Sequence, residues 1–154
     1  RVAVVLALCA TPIAAQEPLS LNLLCYGGGA ANKLRSGSAN ACNSYGDSAS
    51  ATATYTEAQG FEDQADARIA GTEGQIRMPR AMLPVIRGGK DGWFTLKNIK
   101  VSDRDILASV AVNPINNPKM RIDRYTGTIN LSGKAGDFVG KCQAYDPSKA
   151  ERQF

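Results

Sequence analysis

Histidine is absent from the 154 residues of this chain. Imidazole is the group that general acid–base catalysis near neutral pH uses most, and zinc sites also draw on it. The absence excludes Ser-His-Asp, Cys-His and His-metal chemistry, and it leaves pairs of carboxylates as the main route to catalysis. We accordingly assign no catalytic residue, no metal site and no cofactor from the sequence.

Long apolar runs are also missing beyond the start of the chain. Arg1 is followed by an apolar run to Ala10 and by small residues up to Ala15. This is the pattern of a secretory signal peptide, and the run is too short to anchor a protein in a bilayer. The sequence predicts a signal peptide over residues 1–15. It also predicts one exported domain over residues 16–154, without a transmembrane segment, in the periplasm or outside the cell.

Positive charge is only weakly in excess. The chain has 18 lysine and arginine residues against 14 aspartate and glutamate residues, and a formal net charge of +4. Proteins dedicated to nucleic acid carry a stronger basic surplus, and an exported domain rarely meets nucleic acid. We therefore predict no nucleic-acid partner. A modest surplus of this kind attracts anionic polymers or lipid head groups without a dedicated pocket.

Helical periodicity is absent after the signal peptide, whereas apolar and polar residues alternate over most of the chain. Residues 19–25 place three leucines and Cys25 on one face, and residues 106–112 alternate in the same way. A period of two is typical of half-buried strands. We predict an all-β domain, with an antiparallel meander over about 93–143. Two or three earlier strands complete a small sandwich or barrel.

Glycine ends three of the segments that separate these strands, and it can close a hairpin loop in the left-handed conformation without steric cost. The three segments are 71–74, 124–127 and 133–136, and a fourth turn without Gly lies at 102–105. The predicted cross-strand pairs are Ile69 with Ile76, Ile122 with Ile129, Leu131 with Phe138, Val101 with Ile106, and Ile99 with Ala108. A slip of one residue would send these side chains to solvent.

Two segments lack the alternation. Residues 27–50 are rich in Gly, Ala, Ser and Asn and nearly free of large apolar side chains, so they predict a long loop or flexible insert. Residues 79–92 contain two prolines and three glycines. They predict a loop that crosses between the two halves of the sheet.

Three cysteines remain after removal of the signal peptide, in an oxidising compartment that favours disulfides. Three thiols allow three single pairings. Alternation places Cys25 and Cys142 on the inward faces of the first and last strands, whereas Cys42 falls in the polar 27–50 segment. We predict a Cys25–Cys142 disulfide, with Cys42 left over.

Basic residues supply the candidate binding residues. They are Arg80, Arg87 and Lys90 in the 79–92 loop, and Lys119 and Arg121 on the outward face of a predicted strand. Anionic polymers and lipid head groups are the abundant negative partners of an exported protein, so these side chains are candidates for binding anionic envelope components. The alternative is a solvated basic face that serves solubility and protects sheet edges.

These features favour a non-catalytic structural or binding domain of the cell envelope, with two alternatives. A carboxylate-dependent hydrolase would need two carboxyl groups facing each other across a cleft, and the candidates are Glu62, Asp91 and Asp105. An inhibitor or partner protein would present the 79–92 loop to another protein. Two carboxylates in one cleft would favour the hydrolase, and an ordered, protruding loop would favour the inhibitor.

Several short motifs lie in the second half of the chain. They are residues 76–79, 88–93, 122–127 and 136–142. Together with the early Cys25, they resemble a group of small exported β-rich proteins of alphaproteobacteria, whose function is unknown. The resemblance implies export and a β architecture with one cysteine near the mature start and another in the final strand. It carries over no catalytic residue, and Cys42 departs from the two-cysteine pattern.

Overall fold

The computed structural model describes residues 19–149 and is all-β within them. Eight strands follow one another: β1 (Ser20–Cys42), β2 (Ser48–Ala70), β3 (Glu73–Arg77), β4 (Trp93–Val101), β5 (Asp105–Val110), β6 (Lys119–Asp123), β7 (Thr128–Gly133) and β8 (Gly136–Ala144). This part of the chain contains no α-helix, only single 3-10 turns at Arg80–Met82 and Pro147–Lys149. The predicted signal peptide, residues 1–15, lies outside the described residues.

Each strand pairs antiparallel with the next, and β8 pairs with β1, so the sheet closes on itself. The predicted all-β meander is confirmed, and the closure makes the architecture a barrel and not a sandwich. Alternation builds the core, because every second side chain of a strand points inward. Ile76, Phe94, Ile129 and Phe138 are among the largest of these side chains and are fully buried.

Turn geometry fixes the register of most hairpins. The pairs Ile122 with Ile129, Leu131 with Phe138, and Val101 with Ile106 are all confirmed. The predicted pair of Ile99 with Ala108 is wrong, because a β-bulge at Asn98 and Ile99 sets two residues of β4 against one of β5.

The β2–β3 hairpin departs from the predicted register by two residues. Ile69 lies opposite Gly74, and Ala67 lies opposite Ile76. The loop has two residues instead of four, because Gly71 and not Gly74 takes the left-handed conformation, with a φ of 59°. A shift of two residues keeps every side chain on its face, so the predicted inward positions of β2 and β3 are still inward.

Residues 27–50 lie mostly in β1 and β2, joined by a tight turn, and the prediction of a long loop there is wrong. Glycine is a loop signal in most sequences, whereas here it lets two backbones approach closely. A Cβ atom at Gly27 or Gly29 would overlap backbone carbonyls of β8. The predicted flexibility of the segment stays a prediction.

Beyond the barrel, β1 and β2 continue as a two-stranded ribbon over residues 32–58. β1 pairs with β8 only as far as Ala31, and β2 pairs with β3 only from Asp66 onward. Alternation gives the ribbon one face rich in alanine and another rich in serine and threonine. An ion pair of 3.1 Å between Arg35 and Glu57 joins its strands, and nearly all of its side chains are exposed.

Antiparallel order places the connections that follow odd-numbered strands at one end of the barrel. This end, called the ribbon end, carries the ribbon, the β3–β4 loop (78–92), the β5–β6 loop (111–118) and the β7–β8 turn (134–135). The base of the ribbon bonds to two of them. The Asn32 N–H donates to the Ala135 carbonyl at 2.9 Å, and Lys33 Nζ donates to the Ala81 carbonyl at 2.8 Å.

The predicted disulfide between Cys25 and Cys142 is present and joins β1 to β8 at the seam where the barrel closes. The two residues are direct cross-strand partners, although 117 positions separate them in sequence. Cys42 is a free thiol, exposed near the tip of the ribbon. The inward alternation of the first and last strands was thus sufficient to predict the bridge.

Candidate anion-binding site

The β3–β4 loop carries three of the candidate cations and is anchored on the barrel. β3 and β4 pair with each other, so the loop joins neighbours, and the prediction that it crosses between two halves of the sheet is wrong. Met82, a residue of this loop, is buried in the core. Where the 3-10 turn begins, Asp63 Oδ2 accepts the Arg80 N–H at 2.8 Å. These contacts fix the first half of the loop.

Hydrogen bonds from the β5–β6 loop hold the second half. The Gly88 N–H donates to the Val112 carbonyl at 2.8 Å, and Asn113 Nδ2 donates to the Ile86 carbonyl at 3.0 Å. With the bond from the base of the ribbon, the loop is held on two sides. A loop whose backbone is already ordered needs no further backbone ordering on binding.

A depression of about 840 Å³ opens beside this loop. Its lining includes Arg77 at the end of β3, Arg80 and Arg87 in the loop, and the backbone at Gly88. Asp91 is the acidic residue of the lining. We call this cavity the basic depression, since three cations outnumber one carboxylate.

The arginines of the basic depression keep donors for a ligand. Arg77 Nη1 lies 3.9 Å from Asp66 Oδ2, and Arg87 Nη1 donates to the Pro84 carbonyl at 3.0 Å. A guanidinium group has five N–H donors, so neither contact uses all of them. Arg80 is exposed. The planar fork of guanidinium fits the oxygens of phosphate and carboxylate groups.

Lys90 lies in a second depression that adjoins the first. The two depressions share Gly89 and Asp91. In the second one, Arg68 of β2 lies over the ring of Trp93, with Cζ 4.4 Å from the ring centroid. Trp93 is half-buried, and this cation–π contact holds Arg68 against its ring. Positive charge therefore continues from the basic depression onto the neighbouring barrel wall.

Lys119 and Arg121 lie elsewhere, on the outer wall formed by β4 to β7. Arg121 Nε donates to Asp105 Oδ1 at 2.9 Å, and this hydrogen bond raises the pKa of Arg121. Lys119 is exposed and lines the same shallow surface as Lys100. The five candidate cations therefore form two groups, one at the ribbon end and one on the outer wall.

The carboxylates that were candidates for a hydrolase do not converge. Glu62 lines a depression on the β1–β2 side, Asp91 lines the basic depression, and Asp105 bonds to Arg121. A glycosidase needs two carboxyl groups roughly 5–10 Å apart across one cleft. Among residues 19–149, no group of three or more cysteine or acidic residues could hold a metal ion.

Arg77 and Arg68 belong to this surface but are not among the residues predicted from the sequence. Both occupy outward positions of strands, where a basic residue is ordinary. Arg77 is the cross-strand partner of Trp93, and Arg68 is the partner of Gln75. Alternation marks both arginines as outward, but the sequence does not show the β3–β4 pairing that brings Trp93 beside Arg77.

Comparisons with known proteins give no relative of this chain. No family model, no curated protein and no solved structure matches it. Within residues 19–149, no helix is long and apolar enough to cross a membrane.

Proposed function

We propose that this protein is a non-catalytic binding domain of the cell envelope, which holds anionic envelope material at the basic depression. The observation that carries the proposal is the convergence of Arg77, Arg80 and Arg87 on one depression, beside a loop that the fold holds in place. Paired guanidinium donors bind phosphate and carboxylate groups with defined geometry. An open depression without converging carboxylates suits binding and not catalysis.

Two features support the envelope as the place of action. The Cys25–Cys142 disulfide is of the kind that persists in an oxidising compartment. A secretory signal peptide over residues 1–15 is predicted from the sequence. In the periplasm or outside the cell, lipid head groups and anionic polymers are the abundant negative partners, and exposed arginines attract both.

Charge reversal at the basic depression tests the proposal. The variant with Arg80→Glu and Arg87→Glu should bind dextran sulfate and anionic vesicles at least about tenfold more weakly than the wild type at low salt, because two attractive contacts become repulsive. The matched control carries Lys100→Glu and Lys119→Glu on the outer wall, which changes the net charge by the same amount. Co-sedimentation with vesicles and retention on dextran sulfate beads measure the binding.

Salt supplies the second arm of the test. Binding by the wild type should fall steeply as the Debye length shortens from about 10 Å at 0.1 M salt to about 3 Å at 1 M. Urea midpoints should not change in either variant, because exposed charges contribute little to folding. Equal losses in the two variants would show that binding follows net charge and not this depression. No binding by the wild type at low salt would reject the function.

A further inference from the structure

Three aliphatic side chains are exposed on the β3–β4 and β5–β6 loops of the ribbon end. Val85 and Ile86 in the β3–β4 loop are 97% and 82% exposed, and Ile115 in the β5–β6 loop is 78% exposed. Single apolar residues on a surface are ordinary, but three on adjacent loops form a patch that favours an apolar partner. We call these three residues the apolar tip.

Hydrogen bonds through Asn113 hold the apolar tip together. Its Nδ2 donates to the Ile86 carbonyl at 3.0 Å, and its Oδ1 accepts the N–H of Ile115 at 2.9 Å. The bond from the Gly88 N–H to the Val112 carbonyl joins the same two loops. The backbone of the tip is therefore fixed before a partner arrives, and little ordering is needed on binding.

The apolar tip lies beside the basic depression. Val85 lines that depression together with Arg77, Arg80 and Arg87. The bond from Arg87 to the Pro84 carbonyl holds this guanidinium next to the apolar pair. Aliphatic side chains beside arginines match the boundary of an anionic bilayer, where acyl chains lie directly beneath phosphates. A soluble anionic polymer offers the negative groups but nothing that covers the aliphatic side chains.

We propose that the apolar tip and the basic depression together dock on the surface of an anionic phospholipid bilayer. The apolar tip would enter the boundary of the acyl chains, and the arginines of the basic depression would contact the phosphates. This inference rests on the proposed function and narrows its ligand to lipid. The ribbon contacts the other side of the loop, at Ala81, and the exposure of Val85 and Ile86 shows that it does not cover the tip.

Two variants separate apolar insertion from charge attraction. Val85→Ser with Ile86→Ser removes the aliphatic groups and keeps every charge. At about 0.15 M salt it should bind phosphatidylglycerol vesicles at least about tenfold more weakly than the wild type, and dextran sulfate equally well. The variant with Arg80→Glu and Arg87→Glu should lose binding to both the vesicles and dextran sulfate.

The matched control is Tyr125→Ser, which removes a side chain that is 79% exposed at the opposite end of the barrel. It should bind vesicles and dextran sulfate as the wild type does. A second readout comes from Ile86→Trp, because indole favours the membrane interface. This variant should bind anionic vesicles more tightly, and its emission should shift further to short wavelength on vesicles than that of the wild type.

The outcomes distinguish the two proposals. Vesicle binding by the double serine variant at the wild-type level would overturn the docking mode, and the proposed function would stand on the arginines. If the wild type binds dextran sulfate but not vesicles, lipid is the wrong ligand. A protein would then be the partner of the apolar tip. Unchanged binding of both probes by the arginine variant would overturn both proposals.

Discussion

Gly29 lies in β1 opposite Phe138 of β8, on the seam where the barrel closes. A Cβ atom at Gly29 would overlap the Asp137 carbonyl, and one at Gly136 would overlap the Ala30 carbonyl from the other strand. The two backbones therefore approach more closely than strands with side chains on these positions can. At the residue scale, the closure of the barrel depends on glycines that sequence patterns assign to loops.

Gly29→Ala should destabilise the protein by about 1–3 kcal/mol, because the added methyl group forces the β8 backbone to move. The matched control is Gly60→Ala in β2, where an added Cβ meets nothing within 4 Å. That change should leave the free energy of unfolding within about 0.5 kcal/mol of the wild type. Urea unfolding measures both. Equal midpoints for the two variants would show that the seam tolerates a side chain.

The β6–β7 hairpin shows what local chemistry determines at the element scale. Asp123 ends β6, and its Oδ1 accepts the N–H groups of Tyr125 and Thr126 at 3.0 Å and 2.9 Å. Gly127 follows with a φ of 63°, a conformation that Gly takes without steric cost. Because the turn residues and the alternation agree, the pairing of Ile122 with Ile129 could be predicted from the sequence.

Asp123→Asn should make the free energy of unfolding less dependent on pH in the acid range. The N–H of Thr126, first among several contacts, holds the pKa of Asp123 below its ordinary value of 3.8. A carboxyl whose pKa is depressed in the folded state adds stability above its unfolded pKa and loses it as the pH falls through the folded pKa. The free energy of unfolding of the wild type should therefore decrease as the pH drops below about 4. The Asn variant should be less stable at neutral pH, and its free energy of unfolding should decrease less steeply over the same range.

Urea unfolding at a series of pH values from about 7 to about 2 measures this difference. A matched control is Asp103→Asn in the β4–β5 turn, which should keep the wild-type acid dependence. Parallel curves for the wild type and the Asp123 variant would show that the hairpin contacts of Asp123 do not contribute to the acid dependence.

Other elements could not be predicted, for identifiable physical reasons. In the β2–β3 hairpin, Gly71 and Gly74 both fit a turn, and the sequence does not show which of them takes the left-handed conformation. The ribbon over 32–58 has few large apolar residues, so its alternation of alanine with serine and threonine is a weak strand signal. The bulge at Asn98 is set by pairing between β4 and β5. Each of these features depends on contacts outside its own segment.

The residues of the candidate site also divide into those that the sequence predicts and those that it does not. Arg80, Arg87 and Lys90 were predictable, because they are neighbours in one loop. Arg77 directly precedes that loop in sequence, whereas Ile115 joins the surface from the β5–β6 loop through hydrogen bonds that only the structure shows. Conversely, alternation predicted that Lys119 and Arg121 point outward but could not show that they lie on another wall.

At the scale of the whole molecule, the seam between β1 and β8 turns a meander into a barrel. Seven of the eight pairings are hairpins between consecutive strands, whereas β1 and β8 come from opposite ends of the described chain. Bringing distant segments together carries a loop-closure entropy that hairpins largely avoid. The disulfide between Cys25 and Cys142 lies in this non-local pairing, where a covalent link restricts the unfolded chain most.

Removing the disulfide should therefore destabilise the protein more than Gly29→Ala does. The variant with Cys25→Ala and Cys142→Ala should lose on the order of 4–5 kcal/mol of unfolding free energy, because the bridge closes a loop of more than a hundred residues in the unfolded chain. Cys42→Ala is the matched control, since its thiol is free and exposed, and it should unfold as the wild type does. Urea unfolding measures the stabilities, and peptide mapping without reductant should recover Cys25 linked to Cys142. A peptide that links Cys25 to Cys42, or a wild-type midpoint that is unchanged by reductant, would contradict the role of the bridge at the seam.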